Sequence, residues 1–221
     1  MKELLKVVEE CVNRIDRVLE EKDSVREQAI KMSRDVLRLA SDVITYVHNG
    51  EFSQARELLN ELKELVSRFT ELVSPHDELR HSGFVNNALS EYVEAHLFYS
   101  FVVERRLPTM DELKVHYVPY LLGLCDFVGE LRRYVLDLVR VGDFARAFEV
   151  LRFMEGVYEI VRRLDYPEAL TPGLRHKVDV MRRLVDDTKL FLVDMERRSK
   201  LSELLSRALE YLGRSTASRA T

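Results

Sequence analysis

Two stretches decide how this chain reads: LSEYVEAHLFY (Leu89–Tyr99) and LLGLCDFVGELRR (Leu121–Arg133). Both are strongly apolar runs with helical spacing, and each carries two acids. Glu91 and Glu94 are three residues apart, and Asp126 and Glu130 are four apart. On a helix these spacings place both carboxylates of a pair on one face. Acids inside apolar helices are unusual unless paired or bound to a cation. Like charges this close repel, so a compensating partner is expected. Two such helices side by side offer an oxygen-only site suited to magnesium or manganese. That is the donor chemistry of metal-assisted phosphodiester cleavage. The competing reading makes the acids halves of interhelical salt bridges, with Arg132 and Arg133 among nearby cations.

Outward from these helices the whole chain has helical periodicity, with no convincing strand. A first long helix is expected from about Lys2 to Val47, closing at Asn49-Gly50. A second starts at Glu51-Phe52 and ends before Ser74-Pro75. A third carries Phe84 to about Arg105. Thr109 with Glu112 forms a capping-box pattern that opens a helix, which Pro119 breaks or kinks. The continuation runs to about Val141, and Gly142-Asp143 restarts a fifth helix to about Leu164. Tyr166-Pro167 ends it, and Thr171-Pro172 reads as N-cap and N1 of a last long helix to about Arg198. Ser202–Leu212 is expected as a short helix before a frayed tail.

VHNGEFSQARELL and VRVGDFARAFEVL repeat a helix–Gly–acid–Phe–x–x–Ala pattern, read as two similar helical hairpins. No Pro/Gly/Ser-rich linker divides the chain. The expectation is all-α: one domain over residues 1–221, a bundle of about six to seven long antiparallel helices, its last ten or so residues frayed.

Composition narrows the function classes. The 221 residues carry a formal charge of −4, so attraction for nucleic acid requires a local basic patch. With 33% charged residues, eight Gly and no Trp, this is helix-rich and not a disordered composition. Cys11 and Cys125 lie far apart in helical patterns and read as core thiols of a reducing compartment. The N-terminal MKELLKVVEE is amphipathic and acidic, unlike a signal peptide. The longest apolar stretch, near Val118–Val128, is too short to span a bilayer. Scarce Gln (Gln28 and Gln54 alone) with abundant Glu, Lys and Arg leans toward a thermophilic source.

Basic residues form two stripes. Lys31, Arg34 and Arg38 follow i, i+3, i+7 on the first helix. Arg175, Lys177, Arg182 and Arg183 enrich the start of the last one. Such stripes contact phosphates without reading sequence, whereas Asp35, Asp179 and Asp186 allow a solvated, charge-balanced face instead. Glu78-Leu-Arg-His81 is a lone ExxH; a di-iron site needs two such motifs on separate helices. His76 and His81 read as loop or helix-start residues just before the acidic helix, with substrate contact as the alternative. Tyr92, Phe98, Tyr99 and Phe101 read as core, as do Tyr117 and Tyr120. No Gly-rich phosphate loop, CxxC, GxSxG or HExxH occurs.

The segments Ala88–Ala95 (ALSEYVEA) and Tyr120–Arg132 (YLLGLCDFVGELR) resemble the translin and Trax family of nucleic-acid-binding proteins. The resemblance extends to Lys31, Ser33, Arg34, Asp35 and Arg38, to HNGEF at 48–52 and to LTPGLRHKVDV at 170–180, and so spans most of residues 25–195. It implies a translin-like helical fold. In Trax-like members, acids at these motif positions form an endoribonuclease site, which implicates Glu91, Glu94, Asp126 and Glu130 as catalytic and metal-holding residues. Translin-type members lack them. The resemblance therefore implies an Mg2+- or Mn2+-dependent endoribonuclease acting on single-stranded or flexible RNA. It further implies an archaeal-type, cytoplasmic homo-oligomer, octamer-like and closed, with RNA inside and no membrane partner. RNA contact falls to Lys31, Arg34, Arg38, Arg175 and Arg182. The alternative is a non-catalytic oligomer that holds RNA or single-stranded DNA.

Overall fold

The computed structural model describes the backbone of residues 1–217 and the side chains of residues 1–211. The described residues contain helices and no strand. In chain order these are α1 (Lys2–Asn49), α2 (Phe52–Val73), α3 (Asp77–Arg80), α4 (Gly83–Tyr99), α5 (Met110–Leu113), α6 (Tyr117–Arg140), α7 (Phe144–Val161) and α8 (Leu174–Ala217). A π-helical turn, Ser100–Glu104, extends α4. The chain divides into two compact units, Met1–Phe127 and the residues from Val128 onward, and the division falls within α6.

In the first unit α1, α2 and α4 pack on one another. Helix α1 contributes Ala29, Ser33, Val36, Ala40, Val43 and Val47, and α2 contributes Ala55, Leu59, Leu62, Val66, Phe69 and Val73. Both series step by three and four, the single-stripe pattern of a helix with one face against a core. Helix α4 differs. Val85, Ala88, Leu89, Tyr92, Val93, Ala95, Leu97, Phe98 and Tyr99 are all buried, on every side. A helix apolar all round belongs in the interior, where each large side chain contributes about 1.5–3 kcal/mol. Tyr92, Phe98 and Tyr99 are therefore core residues, as their sequence setting indicates.

In the second unit α7 packs on α8. Ala147, Val150, Leu151, Met154, Val157 and Val161 form the α7 face, and Leu174, Met181, Val185, Thr188 and Leu192 are buried on α8.

The two Gly–acid–Phe echoes close by one device. The Glu51 N–H donates to Tyr46 O (2.9 Å) and the Gly50 N–H to Val47 O (3.1 Å), with Gly50 at φ 77°. In the second echo the Asp143 N–H donates to Leu138 O (2.9 Å) and the Gly142 N–H to Val139 O (3.0 Å), with Gly142 at φ 81°. These are Schellman closures, and the left-handed residue in each is glycine because it has no Cβ to clash.

Several boundaries depart from the sequence reading. The Thr109 capping box forms, with the Glu112 N–H donating to Thr109 Oγ1 (3.2 Å) and the Thr109 N–H to Glu112 Oε2 (2.7 Å). The helix it opens lasts one turn, because a third Schellman closure ends it at Lys114, itself left-handed at φ 55°. Pro119 consequently breaks nothing. It lies in the first turn of α6, where a missing N–H is tolerated.

Thr171 and Pro172 do not open α8. The segment turns, with the Leu174 N–H donating to Thr171 O (3.1 Å) and the Gly173 N–H to Glu168 Oε1 (2.6 Å), and the helix starts at Leu174. It then runs without interruption past Arg198, so Ser202–Leu212 is part of α8 and no separate helix. The expected frayed end falls partly on α8, through Ala217, and otherwise outside the described residues. Cys125 is buried, but Cys11 is exposed, on a part of α1 that nothing in its unit covers. Tyr117 is exposed as well, so it is no core residue. No described helix is long and apolar enough to cross a membrane.

Candidate metal and nucleic-acid site

Helix α4 holds Glu94 at 7% exposure, inside the core of the first unit, and Glu91 half-buried one turn before it. Helix α6 holds Asp126 half-buried, with Cys125 and Phe127 buried on either side of it. What brings α6 to α4 is Gly123. A Cβ at this position would collide with the Ser90 carbonyl oxygen and stand 2.8 Å from Val93 Cβ. Only a residue without a side chain permits that approach. Ser90 precedes Glu91, Val93 precedes Glu94, and Asp126 follows Gly123 by three residues. The close contact therefore lies at the level of the carboxylates. The Phe101 and Phe127 rings pack edge-on at 5.7 Å, a second link between the same segments.

Glu130 falls in the second unit, one turn beyond Asp126 along α6. Its carboxylate lies 3.8 Å from the Arg133 guanidinium, a loose i,i+3 pair. Arg132, the other cation named from sequence, turns to α8, 3.9 Å from Asp187. Among the described residues no three His, Cys, Asp or Glu side chains are gathered into a ready metal-binding cluster. The donor chemistry of the four acids is nonetheless all-oxygen, which suits a hard divalent ion.

His96 stands on the turn after Glu94. Its ring meets Tyr92 edge-on at 4.5 Å, and its Nε2 has no hydrogen-bond partner among the described residues. Burial, then the charges of Lys63 and Arg106, hold the imidazole down to about 4, so it is neutral at pH 7. Burial likewise pushes the Tyr92 phenol up to about 12.

Lys31, Arg34 and Arg38 are all exposed on α1, as their spacing indicates. Arg38 is partly held by Asp35, at 3.4 Å. In the second unit Arg175, Arg182 and Arg183 are exposed on α8, with Arg175 3.6 Å from Asp165. Each stripe thus offers cations to solvent with little internal pairing. The sequence reading passes over Gly123. Its signal was a lone small residue between Leu122 and Leu124, three before Asp126.

Residues 24–188 match the model of the Translin family. The chain belongs to that family. An uncharacterised protein of Methanocaldococcus jannaschii is 30% identical over 89% of this chain and 87% of its own. Translin-associated protein X of Pongo abelii is 32% identical, over 34% of this chain and 37% of its own length. Among solved structures, AfC3PO in complex with duplex RNA superposes with a TM-score of 0.76 at 30% identity, covering 86% of this chain and 97% of that one. In this translin-family chain, then, the all-α class read from the helical pattern is the class observed among the described residues.

Proposed function

We propose that this chain is a metal-dependent endoribonuclease, working as a homo-oligomer that holds single-stranded or flexible RNA. The observation that carries the reading is the Gly123 contact. It sets the α4 turn with buried Glu94 and half-buried Glu91 against the α6 turn with Asp126. Acids are placed in such a setting only with a compensating cation or donor. Glu91, Glu94, Asp126 and Glu130 are the residues that would hold Mg2+ or Mn2+. When bound, such an ion neutralises phosphate charge and lowers the pKa of an attacking water. The chain's part is to fix carboxylates on rigid helices and to exclude bulk water from Glu94 by the surrounding core. His96, kept neutral, adds no charge that would compete with the ion.

Nucleic-acid binding is supported by the family and by the RNA complex of AfC3PO. The exposed stripes Lys31, Arg34, Arg38 and Arg175, Arg182 supply phosphate contacts to a chain of net charge −4. Assembly is supported by uncovered apolar surface. Leu4, Leu5, Val8, Val12, Ile15 and Leu19 continue the buried stripe of α1 yet stand 55–68% exposed. Leu201, Leu204, Leu205 and Leu209 add further apolar side chains toward the end of α8, 56–69% exposed. Faces of this extent mark association surfaces, and a closed octamer is the arrangement proposed.

The test is cleavage of labelled single-stranded RNA by purified protein. Hydrolysis is expected with Mg2+ or Mn2+, stopped by chelator and reduced by roughly a hundredfold or more in Glu94→Gln. Undiminished cleavage in a Glu91/Glu94/Asp126 triple alanine variant would sink the site. Tight RNA binding with no cleavage under any divalent ion would leave the alternative, a non-catalytic RNA or single-stranded DNA holder.

A further inference from the structure

The first unit also carries a cleft of about 440 Å3, lined by none of the four carboxylates. It lies between the end of α2, α3, the start of α4 and the segment that follows α5. Its charged and titratable lining is Glu71, Arg80, His81, Lys114 and His116. Among the described residues no carboxylate stands within ion-pair distance of Arg80 or Lys114. Two permanent cations thus face one acid that pairs with neither.

Three of the cleft's neutral donors are already committed. Thr70 Oγ1 donates to Val66 O (2.9 Å), Ser74 Oγ to Glu71 O (3.0 Å), and Asn86 Nδ2 reaches His81 O (3.4 Å). What remains to meet a ligand is two cations, two imidazoles and the Ser67 hydroxyl. His81 and His116 stand edge-on with ring centroids 5.7 Å apart. Lys114 is brought to the cleft by the left-handed Schellman residue that ends α5, a conformation lysine adopts at a cost. His116 is held below its ordinary range by burial, then by His81 and Arg80. The Tyr117 ring lies tilted against His116, with centroids 4.1 Å apart. An anion in the cleft would reverse the two charge effects.

We propose that this cleft binds a phosphomonoester: the dianionic phosphate of a mononucleotide or of an RNA strand end. A monoester carries roughly one and a half to two charges near neutrality and three acceptor oxygens, matching two free cations plus two histidines. A cleft of this size takes one nucleotide and no longer segment. The site stands apart from the proposed nuclease centre and is tested without it.

Calorimetric titration of the full chain in chelator-containing buffer uses 5′-AMP, inorganic phosphate and adenosine. AMP and phosphate are expected to bind, with adenosine weaker than AMP by roughly tenfold. Arg80→Gln and Lys114→Asn are each expected to weaken AMP by roughly fivefold, and Lys6→Gln to leave it unchanged. Asparagine is chosen because it tolerates the left-handed backbone. Both sites are exposed, and circular dichroism checks that the variants fold. On AMP binding the His116 ring resonance should titrate at higher pH than in the free protein.

Equal affinity for AMP and adenosine, or AMP binding unchanged in the Arg80→Gln/Lys114→Asn double variant, overturns the proposal. Oligonucleotides with 5′-phosphate or 5′-hydroxyl ends separate the sources. A phosphate preference lost in the double variant assigns the RNA end. No preference, with AMP binding intact, assigns a free nucleotide. Cleavage is never the readout, so failure here leaves the nuclease reading standing, and the reverse.

Discussion

Gly123 lies directly against the backbone of Ser90. A Cβ there would collide with the Ser90 carbonyl and approach Val93 Cβ and Cγ1 at 2.8 and 2.9 Å. The obstacle is mostly backbone and a β-branched side chain, so neither can rotate aside. The helices carrying Glu91, Glu94 and Asp126 are therefore held at a separation that a single methyl would change.

Gly123→Ala is accordingly expected to destabilise by about 1–3 kcal/mol, the usual range for overpacking. Gly156 provides the contrast: it is helical, exposed, and a Cβ there meets nothing within 4 Å. Gly156→Ala should stabilise by about 0.5–1 kcal/mol through helix propensity alone. Urea unfolding of both variants checks the pair. A gain in both would show that the α4–α6 approach is looser than described. RNA cleavage should fall in the first variant and stay level in the second.

The α5 cap gives a pH signature. The Thr109 N–H and hydroxyl, with Arg106 at 3.0 Å, hold the Glu112 carboxyl below its ordinary value. A depressed folded pKa means that the unfolded state binds the proton more readily. The contribution is present above the ordinary carboxylate range and is lost as pH falls through the folded value. Glu112→Gln keeps an acceptor for the Thr109 N–H but removes the titration. Its unfolding midpoint should therefore vary less with pH than wild type in the acid range. Identical pH profiles would rule the cap out as a contributor.

How far the sequence disclosed this arrangement depends on what each residue can signal. Gly50 and Gly142 were legible, because a left-handed closure with glycine has a composition. The Lys114 closure was not, since lysine gives no sign of φ 55° and Pro119 nearby offers a more obvious stop. The Ser100–Glu104 π turn has no residue pattern of its own. The burial of Glu94 followed from its apolar surroundings, but the means of bringing Asp126 toward it did not. That rests on Gly123, and a glycine in an apolar helix does not say which neighbour it admits. The apolar stripe of α1 was visible throughout, whereas only packing shows that its first half finds no cover.

That uncovered half supplies a prediction on assembly. Val12 and Leu19 are 55% and 56% exposed and continue the face that is buried from Ala29 onward. Placing charge on an apolar association surface opposes its burial strongly. Val12→Lys/Leu19→Lys should shift the protein to smaller species in analytical ultracentrifugation while leaving helicity unchanged. An unchanged sedimentation distribution would remove this stripe from the oligomer contact.

The basic stripe can be tested through salt. Binding by phosphate contact gives a log–log dependence of affinity on salt, with a slope of about −0.7 per contact for single strands. Removing one contact should make the slope shallower by about 0.7 and weaken all RNA sequences alike. Lys31→Ala and Arg34→Ala are expected to do so. Arg38 already spends part of its charge on Asp35 at 3.4 Å, so Arg38→Ala should move the slope less. Fluorescence anisotropy across a salt series, on two unrelated RNA strands, measures all three. If the slopes do not change, the α1 stripe is a solvated face; if only one strand weakens, the contact is to bases instead of phosphates.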